Sequence, residues 1–312
     1  MEHYITLFDS LFAPQGLALH ASLKRHAGPF TLWVLCMDEA VKQQLDRLNE
    51  PTLRTIALAE VETPELLAVK PGRSRAEYCW TMTPFTPQMV FDRAPDAARA
   101  TYIDADVFLL KSPKPIFDEF AAADKAVLIT DHAYDPEYDQ SALSGQYCVQ
   151  FVTFVRGRCE PVRRWWQDRC LEWCFARAED GKLGDQKYLD EWPARFPDLV
   201  HVLEQLDVLL APWNARRFPY SRAIAWHFHS LRLLPHGRVL LHTGYAVPAV
   251  VDDAIYSPYL EQLATSLQTL GVPVVQKVKP RGLVLLLKSF AKNLLLLLRN
   301  LGEHDAIRRL PR

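Results

Sequence analysis

The first part of the chain alternates short apolar runs with amphipathic segments. The apolar runs are continuous rather than alternating, which is typical of strands that are buried on both faces of a sheet. They predict strands over residues 4–8, 30–37 and 53–58. The segments between them, 17–26 and 39–48, have helical spacing. Strands and helices in this order predict βαβ units, a mostly parallel sheet and right-handed crossovers.

The same pattern continues with more interruptions. A helix is predicted over 76–93, which Pro84 and Pro87 must kink or divide because proline cannot donate a helical hydrogen bond. Further strands are predicted over 101–110, 126–130, 147–155, 206–210 and 224–229, and further helices over 117–123, 161–178 and 257–270. Residues 131–144 are polar and predict a loop near a site. The chain shows no repeat and no flexible linker, so we expect one α/β domain over 1–275 and a tail over 276–312.

Composition narrows the class of protein. The 312 residues are 49% hydrophobic and 23% charged, which is typical of a globular protein with a sizeable core. A net charge of −1 argues against nucleic acid as a partner. Six cysteines without a Cys-x-x-Cys pair, and a start without the features of a secretion signal, favour a reducing cytoplasm.

The tail has a charge pattern of its own. From residue 277 onward there are nine Lys or Arg against two acidic residues. On a helix over 281–301, the four basic residues would form one stripe opposite a broad leucine face, and they interrupt the apolar run that a spanning helix needs. This pattern predicts an amphipathic helix on an anionic membrane surface. The alternative is a terminal helix docked on the protein's own core.

Two carboxylates, Asp104 and Asp106, lie within the apolar run 101–110. Burying charge in such a run is costly unless something binds it. Side chains two residues apart share one face of a strand, so both could bind one hard cation or one phosphate. If the strand ends at Ile103, the turn would lie at the carboxyl end of the sheet, where open α/β sheets bind ligands. The alternative is that two aspartates simply end a buried strand.

Two later motifs could contribute to such a site. His227 and His229 share one face of the predicted strand 224–229, and either could complete a carboxylate–imidazole site that suits Mn²⁺ better than Ca²⁺. Both could equally be ordinary hydrogen-bonded histidines. Asp185, followed by Gln186, stands where a helix is predicted to begin. It is either a helix cap or, with Gln186, a group that holds sugar hydroxyls or stabilises positive charge.

These motifs together resemble those of GT-A glycosyltransferases, in composition and in order. The resemblance rests on the first strand and Asp9, on Tyr102-Ile-Asp-Ala-Asp106, on Gly184-Asp-Gln186 and on His227-Phe-His-Ser230, over about residues 1–260. Within that fold the chain is most similar to family 8-like (glycogenin- and galactosyltransferase-like) bacterial nucleotide-diphospho-sugar transferases. The resemblance implies a Rossmann-like mixed, mostly parallel sheet flanked by helices, a Mn²⁺ or Mg²⁺ cofactor and a nucleotide-diphosphate sugar as donor.

The resemblance also implies roles for residues at matching positions. Asp104 and Asp106 would bind the metal and the donor diphosphate, with His227, or alternatively His229, as a third ligand. The other donor-binding residues would be Leu7, Asp9, Tyr78 and Ala105. Asp185 and Gln186 would lie by the transferred sugar, as the catalytic pair. The chain departs from the family at Cys148 and Gln150, where relatives often read Asn-x-Gly, at Trp80 in place of a basic residue, and at Ser230 in place of glycine.

The activity that the resemblance implies is metal-dependent hexosyl transfer with retention of anomeric configuration. The acceptor would be a saccharide or a lipid-linked acceptor, in cell-surface polysaccharide synthesis at the inner face of the plasma membrane. Two other classes stay open on sequence. The Asp-x-Asp pattern superficially matches haloacid-dehalogenase-like phosphatases, with Asp104 as nucleophile, although that motif normally ends the first strand of its domain. A non-catalytic, membrane-associated saccharide-binding protein is the other alternative, because Cys148 and Gln150 depart from the family.

Overall fold

A central sheet organises the molecule. The computed structural model describes residues 1–271 and 307–311. Its strands are β1 (Glu2–Phe8), β2 (Phe30–Cys36), β3 (Leu53–Ala57), β4 (Arg99–Ile103), β5 (Val107–Leu109), β6 (Val127–Asp131), β7 (Tyr147–Val155), β8 (Val200–Val202), β9 (Leu209–Leu210), β10 (Ala225–His227), β11 (Arg232–Leu234), β12 (Arg238–Leu240) and β13 (Ile307–Arg309). Seven of them form one sheet in the order β3-β2-β1-β4-β7-β6-β8. β7 runs antiparallel to both of its neighbours, and the other pairings are parallel. The prediction of a mixed, mostly parallel sheet is confirmed.

Helices cover both faces of this sheet. They are α1 (Ala13–His26), α2 (Glu39–Asp46), α3 (Pro64–Val69), α4 (Arg75–Met82), α5 (Thr86–Arg93), α6 (Lys114–Ala123), α7 (Ser141–Ser144), α8 (Glu160–Glu172), α9 (Trp192–Arg195), α10 (Ala249–Val251) and α11 (Ser257–Leu270). The side chains of β1 show the layering. Ile5 and Leu7 pack in one hydrophobic cluster with residues of α5 and α8, whereas Tyr4 and Phe8 pack in another with residues of α1, α2 and α6. Because both faces are covered, the strand needs apolar residues at successive positions, as the sequence has.

Proline divides the predicted helix 76–93 as expected. α4 ends at Met82, a 3₁₀ turn follows over Thr83–Phe85, and α5 begins at Thr86 with a proline in its first turn. Proline is tolerated there because the first helical N–H groups have no intrahelical partner.

Other predicted boundaries were wrong. The helix predicted over 161–178 ends at Glu172, and the chain turns back so that the backbone N–H of Ala176 donates to Glu77 in α4 at 2.8 Å. Helix α3 was missed, although Thr63 caps it by accepting from the backbone of Leu66 and the proline in its first turn was visible in the sequence. The strand predicted over 224–229 ends at His227.

Two smaller sheets extend the central one. β5, β10 and β9 form one, and β11, β12 and β13 form the other. Strand β13, near the end of the predicted tail, pairs with β12, and Arg308 contacts Asp252 at 3.2 Å. The amphipathic helix predicted over 281–301 lies outside the described residues. Within 1–271 and 307–311, no helix is both long enough and apolar enough to cross a membrane.

Candidate functional site

A tight turn places Asp104 and Asp106 at the carboxyl end of the central sheet. Strand β4 ends at Ile103, and the backbone N–H of Asp104 donates one further hydrogen bond to the backbone carbonyl of Gln150 on β7 at 3.1 Å. The backbone N–H of Val107 then donates to the carbonyl of Asp104 at 3.1 Å, and β5 continues into a different sheet. The two carboxylates therefore flank a turn at the edge where ligands of open α/β sheets bind.

Strand β10 brings His227 to this turn. Its backbone pairs with β5 so that His227 stands opposite Val107, and the N–H of Phe228 donates to the carbonyl of Asp106 at 2.8 Å. The Nε2 atom of His227 lies 3.2 Å from Asp106 Oδ1 and 3.9 Å from Asp104 Oδ2. One ligand atom from each of the three side chains lies within 4.8 Å of the other two. Two carboxylates and one imidazole form a donor set that fits Mn²⁺ or Mg²⁺ and leaves positions for water or phosphate oxygens.

The protonation of these three groups is set by burial and by one another. Burial lowers the pKa of His227, but the carboxylate of Asp106 outweighs this and holds that pKa well above its ordinary value. Burial raises the pKa of Asp104, although His227 opposes the rise. Burial also raises the pKa of Asp106, but His227 outweighs burial there, and the pKa of Asp106 is lowered. In the metal-free protein, the positive charge of His227 is therefore favoured by the carboxylate of Asp106.

Partners around the turn fix two of these side chains. The hydroxyl of Tyr102 donates to Asp104 Oδ1 at 2.8 Å. The Nδ1 atom of His227 lies 2.9 Å from Gln150 Oε1. Gln150 and Cys148 are two residues apart on β7 and therefore share one face of the strand. Burial raises the pKa of Cys148, but His132 and His227 outweigh burial and bring it to about 7.

The ring of His229 packs edge-on against that of His227, with centroids 5.8 Å apart. Its ring packs against Trp213 and Tyr245, with centroids 5.4 and 6.2 Å apart. Burial, followed by the charge of His227, lowers the pKa of His229 to about 4. Within the described part of the chain, His227 and not His229 belongs to the group of residues that could hold a metal.

Asp185 is buried close enough to Asp104 to be affected by its charge. It precedes a 3₁₀ helix over Gln186–Glu191, and its side chain makes no capping hydrogen bond. Burial, followed by the charge of Asp104, raises the pKa of Asp185 to about 7. Gln186 joins strand β7 to helix α7, because its Oε1 accepts from the backbone of Val149 at 3.3 Å and its Nε2 donates to the carbonyl of Ser144 at 2.9 Å. Asp185 therefore does not act as a helix cap, and its side chain is affected by the charge of Asp104 instead.

The residues predicted to bind the donor, namely Leu7, Asp9, Tyr78 and Ala105, are either bonded to other protein groups or buried. Asp9 follows β1, as predicted, but its Oδ1 accepts from the backbone of Leu11 at 2.9 Å and its Oδ2 lies 2.8 Å from Arg75 Nε. Leu7 is buried near the carboxyl end of β1, and Ala105 is buried in the turn between β4 and β5. The hydroxyl of Tyr78 is bound to Glu62 at 2.7 Å. Arg75, which also pairs with Asp38, was not found from sequence.

An aromatic cluster borders the site and was also missed. We call Tyr134, Tyr138, Trp213 and Tyr245 the aromatic wall. Trp213 packs edge-on against His227 with ring centroids 5.3 Å apart, and its Nε1 donates to the carbonyl of His132 at 2.8 Å. The ring of Tyr138 packs edge-on against Tyr245 at 5.2 Å. One indication of this cluster was present in the sequence, because the loop predicted over 131–144 near a site contains Tyr134 and Tyr138. The sequence did not indicate that Trp213 and Tyr245 would pack with them.

Comparisons with known proteins support the fold. No protein-family model matches the chain. The chain is similar to the uncharacterized protein YfnF of Bacillus subtilis (strain 168), with 28% identity over 288 residues, covering 86% of this chain and 94% of that protein. Among solved structures it is similar to the bifunctional glycosyltransferase WbbM, with a TM-score of 0.54 and 12% identity, over 88% of this chain and 52% of WbbM.

A second structural match covers nearly all of the other protein. It is the galactosyltransferase LgtC in complex with donor and acceptor sugar analogs, with a TM-score of 0.50 and 13% identity, over 88% of this chain and 98% of LgtC. Likeness at such low identity shows the fold alone. The predicted architecture is confirmed, family 8 within it stays a prediction, and the chain has the GT-A fold of these glycosyltransferases.

Proposed function

We propose that this protein is a divalent-cation-dependent glycosyltransferase that takes its sugar from a nucleotide-diphosphate donor. The observation that carries the proposal is the cluster of Asp104, Asp106 and His227 at the carboxyl end of a GT-A sheet. Three side chains that could bind a cation, two from the turn after β4 and one from the end of β10, converge there, at the edge where such sheets bind their ligands.

The three residues would hold the cation, and each contributes differently. A divalent cation, when bound, stabilises the negative charge that develops on a leaving diphosphate. Asp104 and Asp106 supply the charge that keeps the cation in place, and Tyr102 fixes the orientation of Asp104. His227 supplies a neutral ligand from Nε2, which requires that this atom give up its proton.

Asp185 and Gln186 are proposed as the groups beside the transferred sugar. The raised pKa of Asp185 lets its carboxyl group donate a hydrogen bond to a sugar oxygen near neutral pH. Gln186 holds the end of α7 at Ser144 close to β7, and we propose that it so positions the neighbouring Asp185. Hexosyl transfer with retention is our proposal for the outcome, carried by the resemblance to family 8.

The acceptor is proposed to be a saccharide, free or lipid-linked. The aromatic wall supports this through its two partly exposed members, Tyr134 and Tyr138, because the flat apolar face of a sugar ring packs well against a Tyr side chain that keeps a polar end for hydrogen bonds. It also borders His227 directly. Work at the inner face of the plasma membrane, in surface-polysaccharide synthesis, is proposed from the basic and leucine-rich pattern of residues 281–301.

The phosphatase alternative finds no support in the geometry. Its nucleophilic aspartate would end the first strand of its domain, whereas Asp104 follows the fourth strand in the chain and one of its oxygens is bound to Tyr102.

Donor hydrolysis and transfer test the proposal directly. The purified protein is incubated with a panel of nucleotide-diphosphate sugars, with and without Mn²⁺, and the released nucleoside diphosphate is measured. We expect metal-dependent release with at least one donor, and a loss of about 100-fold or more when Asp104→Asn and Asp106→Asn are combined. The exposed Asp198→Asn is the matched control and should leave release unchanged. Release that survives the double substitution would contradict the proposal.

A further inference from the structure

Gln150 lies behind His227, on the side away from the two carboxylates. It occupies the middle of β7, and its side chain is 2% exposed. The amide oxygen Oε1 is 2.9 Å from Nδ1 of His227, while the other ring nitrogen, Nε2, faces Asp106 and Asp104. The ring is therefore held between a neutral amide and a pair of carboxylates, and the thiol of Cys148 also lies within hydrogen-bonding reach of it.

This contact matters because an imidazole binds a cation through the lone pair of one nitrogen only. The other nitrogen then carries the proton, and the group that accepts from it decides which nitrogen is free. An amide oxygen can only accept. With Oε1 of Gln150 on Nδ1, the proton stays on Nδ1 when Nε2 gives up its own, and the lone pair then left on Nε2 is directed to the space between Asp104 and Asp106.

The amide nitrogen of Gln150 also indicates a functional role. Nε2 of Gln150 is buried and has no hydrogen-bond partner among the residues that the structure describes. An unpaired buried donor opposes folding, and an apolar side chain of the same size would avoid it. The bond to His227 is the contact that an apolar side chain could not make, so stability alone does not account for an amide here.

We propose that Gln150 is a positioning residue that prepares His227 for metal binding by accepting the proton of Nδ1. The inference rests on the proposed function, because it needs a cation at Asp104, Asp106 and His227. It adds a residue to that site which the sequence had marked only as a departure from Asn-x-Gly.

Mn²⁺ binding to the full chain, without any sugar nucleotide, tests this role. Affinity is measured by electron paramagnetic resonance, and pulsed spectra report whether an imidazole nitrogen is bonded to the Mn²⁺. Gln150→Met keeps the size of the side chain and removes the acceptor, so we expect affinity to fall by about 10- to 100-fold and the nitrogen coupling to weaken or vanish. Gln150→Glu keeps an acceptor and should retain the nitrogen coupling. The exposed Gln43→Met is the matched control and should bind as the wild type does.

The outcomes separate this inference from the proposed function. A wild-type protein that binds Mn²⁺ with nitrogen coupling, and a Gln150→Met variant with the same affinity and coupling, would overturn the role of Gln150 alone. A wild-type protein that shows no nitrogen coupling would overturn the metal site itself, and the role of Gln150 with it. If thermal unfolding shows that Gln150→Met does not fold, Gln150→Asn replaces it, because the shorter side chain withdraws the oxygen from Nδ1 and should cause the same loss. Unchanged coupling in Gln150→Asn would likewise overturn the role.

Discussion

Replacing Asp185 by asparagine should make the protein more stable, and the gain should depend on pH. Asp185 is 6% exposed, and burial together with the charge of Asp104 raises its pKa from 3.8 to about 7. The folded protein therefore holds a proton that the unfolded chain releases. Asparagine has nearly the same shape and cannot ionise, so it removes this difference.

The sign and size follow from proton linkage. Below pH 4 the carboxyl group is protonated in both states and contributes nothing to the pH dependence. As the pH rises from about 4 to about 7, the unfolded chain loses the proton first, so the free energy of unfolding falls. The two pKa values correspond to roughly 4 kcal/mol of lost stability above pH 7, to order of magnitude. Asp185→Asn should recover this amount at pH 8 and much less at pH 5.

Urea unfolding of the metal-free protein at pH 5 and pH 8 measures the effect. The exposed Asp198→Asn serves as the control, since its environment gives no reason for a comparable gain. A gain of equal size at both pH values would show that shape and not charge explains the change. The absence of any gain at pH 8 would refute the reasoning about burial and Asp104.

Three further predictions concern other parts of the molecule. A β-carbon on Gly16 would lie 2.3 Å from ring atoms of Phe8, so Gly16→Ala should lower the free energy of unfolding by about 1–3 kcal/mol in urea titrations; unchanged stability would show that the ring moves freely. Mn²⁺ should bind more tightly at pH 8 than at pH 6, with proton release in calorimetry, because Asp106 holds the pKa of His227 above its ordinary value despite burial. Equal affinity at both pH values would contradict this. Because Tyr138 is the partly exposed member of the aromatic wall next to Tyr245, Tyr138→Ala should raise the KM for a saccharide acceptor more than the KM for the donor in steady-state kinetics, and the reverse order would refute an acceptor role for the aromatic wall.

Local sequence patterns predicted a large part of the fold. The apolar run of β1 predicts a strand because a strand covered on both faces excludes polar side chains, and Tyr4 and Ile5 are both buried as that requires. Pro84 predicts the division between α4 and α5 because its ring removes a helical hydrogen bond wherever it stands. The sequence pattern did not predict that α8 ends at Glu172. That end depends on tertiary contacts, such as the hydrogen bond from the backbone of Ala176 to Glu77.

The candidate site divides in the same way. The sequence by itself determined that Asp104 and Asp106 follow a buried strand, and that a histidine pair, Asp185 and Gln186 come later in the chain. Only the tertiary structure places His227, and not His229, with the carboxylates, because β10 pairs with β5 and ends at that residue.

The partners of these side chains were likewise decided by the tertiary structure. Gln150 and His227 are 77 residues apart, and Trp213 and His132 are 81 apart. A local pattern records which face of an element is buried. It cannot record which side chain from a distant element fills that space, so the charge on His227 and the pKa of Asp185 follow from the assembled fold.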